Sequence, residues 1–416
     1  MQNKLGLGLI KKYFGREQLK ANAVRVAVCI SGQMRTYRKA LPSITQHLIK
    51  PNNADVFIDT WDQAGNTNKL ILLLPSGFPL HLPLEYWHAQ PDLMNNEHCR
   101  FEVDMPHVYA ELQSIAKADD QISLTELQEL YNPKGARVEE FSAAFFEDKL
   151  DLSRLKRLFP DTTGLNAAPM FYKIHGCDQL RRDHEKREGF TYDVVIRVRP
   201  DLEFFSDLVF SKEFATDKLW TLLNPFYEVL GVADFNSNDM FFVGDSNTMT
   251  YAASLWNDLP RHWDPEANPD RNFGDRGPER LLNDHLRARD LTGSVLTVTP
   301  APNRIVTAID YPRLLTLLES DIAQIGELPG FVSNCVAAAQ SQYAIHVLAI
   351  GDGERAQEIL EQPAQIGPLG CAEPFAGRAK MASILNQPVE LEALLAQTRA
   401  AGQESVFPEL FAPASA

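Results

Sequence analysis

The sequence predicts an α/β protein: a mostly parallel sheet flanked by helices, followed by a helical C-terminal extension. Three observations carry this. Short β-branched runs stop abruptly at polar residues, as in Tyr192-Asp193-Val194-Val195-Ile196-Arg197-Val198-Arg199-Pro200-Asp201, where Pro200 ends a buried strand. Such runs alternate with helical stretches, one of which repeats its apolar residues at i, i+4 and i+7. The first run leads into a glycine-containing turn and a helix, the opening of a nucleotide-binding α/β unit.

Residues 1–22 form a basic amphipathic segment, with Lys4, Lys11, Lys12, Arg16 and Lys20 beside Leu7, Ile10, Tyr13 and Phe14. Such a segment lies on an anionic membrane surface, docks on its own domain as a terminal helix, or is a disordered tail. It lacks the apolar stretch and cleavage site of a secretory signal. The main unit spans residues 23–311. Its first strand is 24–30, followed by Ser31-Gly32-Gln33-Met34-Arg35 and a helix through residue 49, and its second strand is 55–61. Neither G-x-G-x-x-G nor G-x-x-x-x-G-K-[ST] follows the first strand, which argues against dinucleotide oxidoreductase and P-loop chemistry.

Residues 62–165 read as a mostly helical insertion. Its apolar stretch at 70–84 is broken by Pro75, Gly77, Pro79 and Pro83, and helices are expected near 111–130 and 139–159. Residues 170–188 form an amphipathic helix with Met170, Ile174 and Cys177 on one face, ended by Gly189. Strands at 218–222, 240–243 and 294–299, helices at 247–259 and 280–289, and a long polar loop at 261–277 complete the unit. Residues 312–416 are Ala-, Leu- and Gln-rich, split by Gly and Pro, and read as several short helices used for packing or association.

Of the 416 residues 44% are hydrophobic and 23% charged, the balance of an ordinary globular protein. The net charge of −15 argues against binding along a nucleic-acid backbone, while leaving room for a local cationic pocket. The five cysteines are scattered and form no C-x-x-C pair, which suits free thiols in a reducing cytoplasm. No run reaches the ~20 apolar residues that span a bilayer.

Four constellations carry chemistry. Strand alternation places Arg197, Arg199 and Asp201 on one face at a sheet edge. There the arginines suit a diphosphate and the carboxylate suits Mg²⁺ or Mn²⁺; an Arg–Asp ion pair explains the same residues. The polar run Asp234-Phe235-Asn236-Ser237-Asn238-Asp239 imitates a calcium loop, but Asp239 stands at the glycine position and Asp245 at the glutamate position. It reads better as a loop delivering Asn238 to an acceptor and Asp239 as a general base, or as a plain Asx-turn. Glu279, after Pro278 at a helix start, is either a second cleft carboxylate or a residue the helix dipole favours. Ser31, Gly32, Gln33 and Arg35 bring backbone, helix N-terminus and a cation to the end of the first strand, and the second strand too ends in polar residues, Asp59 among them. His262-x-Asp264-x-Glu266 lacks regular ligand spacing and reads as a solvated loop.

Taken in order, SGQMR, ADVFIDTW, MFYKIHGCDQL, YDVVIRVRPDL, NDMFFVGDSNTM and PERLLNDHL resemble bacterial glycosyltransferase-like proteins of surface-polysaccharide loci, including the WavE-type lipopolysaccharide-synthesis proteins. The resemblance covers about residues 24–310 and implies a GT-A-like fold with a nucleotide-sugar across the carboxyl edge of the sheet. It places Arg199-Pro200-Asp201 where such proteins carry a D-x-D metal and diphosphate motif, with Arg199 replacing the first carboxylate. It implies transfer of a sugar from a nucleotide-sugar donor to a lipopolysaccharide or capsule acceptor. Diphosphate contacts would come from Arg197, Arg199 and Asp201, and Mn²⁺ or Mg²⁺ would sit on Asp201. Asp239 or Glu279 would act on the acceptor hydroxyl, at the inner face of the membrane. The alternatives are a non-catalytic glycan-binding or assembly protein on the same scaffold, or transfer of another phosphate-linked group.

Overall fold

The computed structural model describes residues 24–65, 106–117, 121–150, 167–214, 218–222, 239–264, 267, 278–296, 303–305, 310–324, 330–362, 364–365, 371–372, 374–401 and 410. The N-terminal segment 1–22, the stretch at 70–84, Asn238 and most of the 261–277 loop lie outside them. The chain forms two compact units. One comprises Met1–Ala64, Asp120–Leu202 and Ser206–Val298, the other Gly65–Asp119, Glu203–Phe205 and Thr299–Ala416.

The first unit is the α/β domain the strand pattern predicts. Among the described residues its sheet contains β1 (Val26–Gly32), β2 (Asp55–Trp61), β3 (Gly135–Glu139), β4 (Val194–Val198), β6 (Lys218–Leu222), β7 (Phe241–Gly244) and β8 (Thr292–Leu296); the short β5 (Leu202–Phe204) lies outside it. The strand order is β3-β2-β1-β4-β7-β6-β8. Only β7 runs against its neighbours; the other pairings are parallel. Every residue of β1 and β4 is buried, so these strands read as near-continuous apolar runs, interrupted in β4 by Arg197, as strands covered on both faces do.

Among the described residues of 62–165, three helices flank in sequence one strand, β3, that the sequence pattern does not predict. It pairs with β2 from Phe57↔Gly135 to Trp61↔Glu139 and forms the sheet edge. Its sequence, Gly-Ala-Arg-Val-Glu, has too few apolar residues to signal a strand; pairing and half-burial supply what periodicity did not.

The helices follow the pattern with shifted ends. α1 (Tyr37–Ile44) continues through a π-helical turn and Lys50–Asn52, past the expected end, and Asn53 closes it at φ 45°. The expected helix near 111–130 is two helices, Pro106–Lys117 in the second unit and α2 (Leu124–Tyr131) in the first. The helix expected at 139–159 begins only at α3 (Ala143–Leu150), because β3 occupies its start. α4 (Ala167–Glu188) ends where Gly189 takes φ +73°. The helix expected at 247–259 is split at Ser254 into α5 (Ser246–Ala253), capped by the Asp245 carboxylate, and α6 (Leu255–His262). α7 spans Pro278–Arg287.

α4 lies on β1 and β2, where Phe171, Ile174 and Cys177 join Ala27, Cys29, Phe57 and Trp61 in one apolar cluster. Gly176 permits the approach: a Cβ there would overlap Arg137 Nη2 and Asp59 Oδ2.

The second unit is helical, as the composition of the C-terminal region predicts. It holds Tyr311–Ile322, Gly330–Ala349, Gly353–Glu361, Phe375–Ile384 and Pro388–Ala400, besides Pro106–Lys117. The buried Asp321 accepts from the backbone N–H groups of His107 and Val108 and so caps Pro106–Lys117. β5 pairs there with β9 (Asn303–Ile305). No helix among the described residues is long and apolar enough to cross a membrane.

Candidate functional site

The chain leaves β1 toward β2 and β3 on one side and returns in β4 on the other. The carboxyl ends of β1 and β4 therefore flank a topological switch point, the crevice where open α/β sheets bind ligands. Ser31 and Gly32 end β1, and Arg35 follows; Arg199, Pro200 and Asp201 follow β4. β7 runs the other way, so its amino end brings Asp239 and Met240 to the same edge. The Arg199 N–H donates to the Met240 carbonyl at 2.9 Å. Three segments far apart in sequence thus meet at one place.

Asp201 is the hub. Arg199 grips it as a fork, Nε to Oδ1 at 2.6 Å and Nη2 to Oδ2 at 2.8 Å, and Arg35 Nη1 adds a bond to Oδ2 at 3.2 Å. The carboxylate is fully buried. Burial alone would raise its pKa, but Arg199 and Arg35 outweigh that and hold it at about 2. Strand alternation did not assemble this group. β4 stops at Val198, and a turn in which the Leu202 N–H donates to the Arg199 carbonyl folds Asp201 back.

Arg35 takes φ +43°, in the left-handed region that non-glycine residues seldom visit. Its Nε is buried and has no acceptor among the described residues. Burial lowers its pKa against the pull of Asp201. Gly32 has φ +108°, with open space where a Cβ would stand, and its carbonyl accepts from Thr60 Oγ1 at 2.8 Å. Gln33 is exposed beside them.

Arg197 and Ser31 depart from the expected role of direct diphosphate contact. Both are buried. Arg197 Nε donates to Ser31 Oγ at 3.3 Å and Nη2 to the Ser31 carbonyl at 3.4 Å, while Nη1 donates to the Asp239 carbonyl. Desolvation lowers its pKa to about 10, so it keeps its charge at neutral pH. Arg197 is a positioning residue that ties the end of β1 to the start of β7. Asp239 and Glu279 are both close enough to raise the pKa of Arg199 electrostatically. Asp239 is partly exposed, and Glu279 is buried in the first turn of α7.

Asp59 belongs to a different cluster. Its carboxylate accepts from Lys173 Nζ at 2.9 Å and from Arg137, whose Nε lies 3.3 Å away. Lys173 and Arg137 also pair with Glu139. Burial raises the Asp59 pKa despite both cations. Lys173 is fully buried, 4.0 Å from the centre of the Trp61 ring. This balanced set locks α4 to β2 and β3, so Asp59 is a structural anchor rather than a diphosphate contact. Lys173 could have been flagged from sequence, because it stands beside Ile174 on the apolar side of the 170–188 helix.

A divalent cation does not fit the position of Asp201. Both carboxylate oxygens are taken by guanidinium groups, which would have to be displaced and would then repel the ion. No group of three His, Cys, Asp or Glu side chains among the described residues is arranged to hold a metal. His262, expected in a solvated loop, is instead buried at the end of α6 with its ring 5.8 Å from that of His285. No protein-family model matches the chain, and no curated protein matches it.

Proposed function

We propose that the crevice binds a nucleotide-sugar and transfers the sugar to a hydroxyl of a surface glycan, lipopolysaccharide or capsule. The observation that carries the reading is the convergence of Arg35 and Arg199 on one buried carboxylate at the switch point between β1 and β4. Guanidinium forks suit phosphate oxygens. In the reaction the bond between the anomeric carbon and the diphosphate oxygen breaks, and its electron pair leaves with the diphosphate. The acceptor oxygen forms the new bond to that carbon. Its proton passes to a carboxylate, for which Asp239, at the mouth and partly exposed, is the first candidate and Glu279 the second. Arg35 and Arg199 stabilise the charge that develops on the leaving oxygen. The order of motifs resembling surface-polysaccharide glycosyltransferases supports the same reading, as does a mostly parallel sheet. The proposed place of action is the cytoplasmic face of the membrane, where residues 1–22 would make peripheral contact.

The test is thermal unfolding of the purified chain against a panel of nucleotide-sugars and nucleoside diphosphates, followed by donor hydrolysis assays. A donor that raises the unfolding temperature and is hydrolysed supports the proposal. Binding of oligosaccharide alone, with no response to any nucleotide, would replace it with the glycan-binding alternative.

A further inference from the structure

We infer that this site holds the diphosphate of its donor with Arg35 and Arg199, and that binding needs no divalent cation. The inference rests on the nucleotide-sugar reading above and concerns how that ligand is held.

Three observations lead to it. First, both oxygens of the buried Asp201 carboxylate are already paired with guanidinium groups, which a metal would have to displace or face. Asp201 accepts from Arg199 Nε, Arg199 Nη2 and Arg35 Nη1, and it is fully buried. Its part is to orient two guanidinium groups, as a carboxylate beside a fork does. Two guanidinium groups share this one carboxylate. Second, Arg35 carries a buried Nε with no acceptor among the described residues. A buried donor left unpaired costs free energy, and such groups occur where a ligand supplies the partner. Third, the residue that presents this donor sits at φ +43°. Strain of that kind is kept where the surroundings over-determine it, and it clusters at ligand clamps. The orphan donor and the strained backbone belong to one residue, at the end of β1, beside the open space at Gly32.

The chemistry is consistent throughout. A diphosphate oxygen accepts from Arg35 Nε, and a second meets the guanidinium of Arg199, whose Nε and Nη2 stay on Asp201. Mn²⁺ or Mg²⁺ would compete with these cations for the same oxygens.

The experiment is calorimetric titration of the full chain with UDP, GDP, CDP and ADP, in excess EDTA and again in Mn²⁺ or Mg²⁺. At least one nucleotide is expected to bind in EDTA, with affinity changed less than about threefold by either metal. Arg35→Gln, which removes the charge and the outer guanidinium nitrogens, is expected to weaken that binding by about tenfold or more. Arg35→Lys, which keeps charge but not the fork, is expected to fall between the two. Far-ultraviolet circular dichroism and thermal unfolding identify a variant that fails to fold, and the wild-type comparison with and without EDTA does not depend on any variant. Binding that appears only with metal would overturn this inference and leave the transferase reading intact. Absence of binding under both conditions would overturn both. Unchanged affinity in Arg35→Gln would remove Arg35 from the site.

Discussion

Arg199 closes on Asp201 across a single proline, with both carboxylate oxygens held at 2.6 and 2.8 Å by one guanidinium fork. This pairing links acid stability to the candidate site. An unfolded aspartate titrates near ~3.9, whereas Asp201 in the fold titrates at about 2. The folded state therefore gains from this group above about pH 4 and loses the gain as pH falls through about 2, an effect of about 2 kcal/mol. Urea unfolding of wild type and Asp201→Asn across this range measures it. The stability gap between the two proteins is expected to narrow by about that amount on acidification, and a constant gap would show that the pair does not titrate with folding.

Gly176 is expected to tolerate no side chain. A Cβ there overlaps Arg137 Nη2 and Asp59 Oδ2, so Gly176→Ala must separate a buried ion pair. Breaking such a pair costs about 3 kcal/mol or more, against about 1 kcal/mol gained in helix propensity. Gly189→Ala is the control: φ +73° there has open space around it, so only the strain of about 1–2 kcal/mol applies. Equal loss in thermal unfolding for the two variants would contradict the ion-pair explanation.

The same cluster predicts non-additivity. Lys173→Met leaves Asp59 with Arg137 as its remaining cation, and Gly176→Ala disturbs that one too. Because both changes act on Asp59, their combined cost is expected to differ from the sum by about 1 kcal/mol or more in a double-mutant cycle. Additive costs would mean that Lys173 and Arg137 hold the carboxylate independently.

The strands of the main sheet were legible wherever burial on both faces makes an apolar run, as in β1, β2 and β4. β3 was not, because an edge strand takes its stability from pairing, and Arg137 and Glu139 face an ionic cluster rather than a core. At the site, sequence could find Arg35, Arg199, Asp201 and Asp239, since polar residues just past an apolar run must lie at a strand end. It could not assign their partners. Arg197 and Arg199 look alike in sequence, yet Arg197 sits within β4 and turns to Ser31 and Asp239, while Arg199 lies past its end and turns to Asp201. Asp59 was misplaced for a related reason: its neighbours Arg137 and Lys173 come from segments whose pairing no local pattern records.

Cys29 and Cys177 are expected to resist alkylation in the native protein. Both thiols are buried, and Cys177 donates toward the Ile30 carbonyl at 3.7 Å. Burial, reinforced by Cys29, pushes the Cys177 thiol well above its usual range, so the reactive thiolate is scarce at mildly alkaline pH. Iodoacetamide labelling followed by peptide mass spectrometry is expected to modify these two positions only after denaturation. Rapid native labelling of Cys177 would show that α4 opens from the sheet well below global unfolding.

Arg197 separates positioning from binding. Its guanidinium ties Ser31 to the carbonyl of Asp239, the candidate base, without itself lining the crevice. Arg197→Lys keeps the charge but cannot span both partners, so Asp239 is released while Arg35, Arg199 and Asp201 remain paired. Loss of these bonds is expected to cost about 1–2 kcal/mol of stability. In a transfer assay with saturating donor, kcat is expected to fall by about 10- to 100-fold with donor KM changed little, because the misplaced group acts on the acceptor and not on the diphosphate. Asp239→Asn is expected to reproduce the loss of kcat without the loss of stability. A rise in donor KM with kcat preserved would instead place Arg197 at the diphosphate, and the buried geometry around Ser31 would then have to open when the ligand binds.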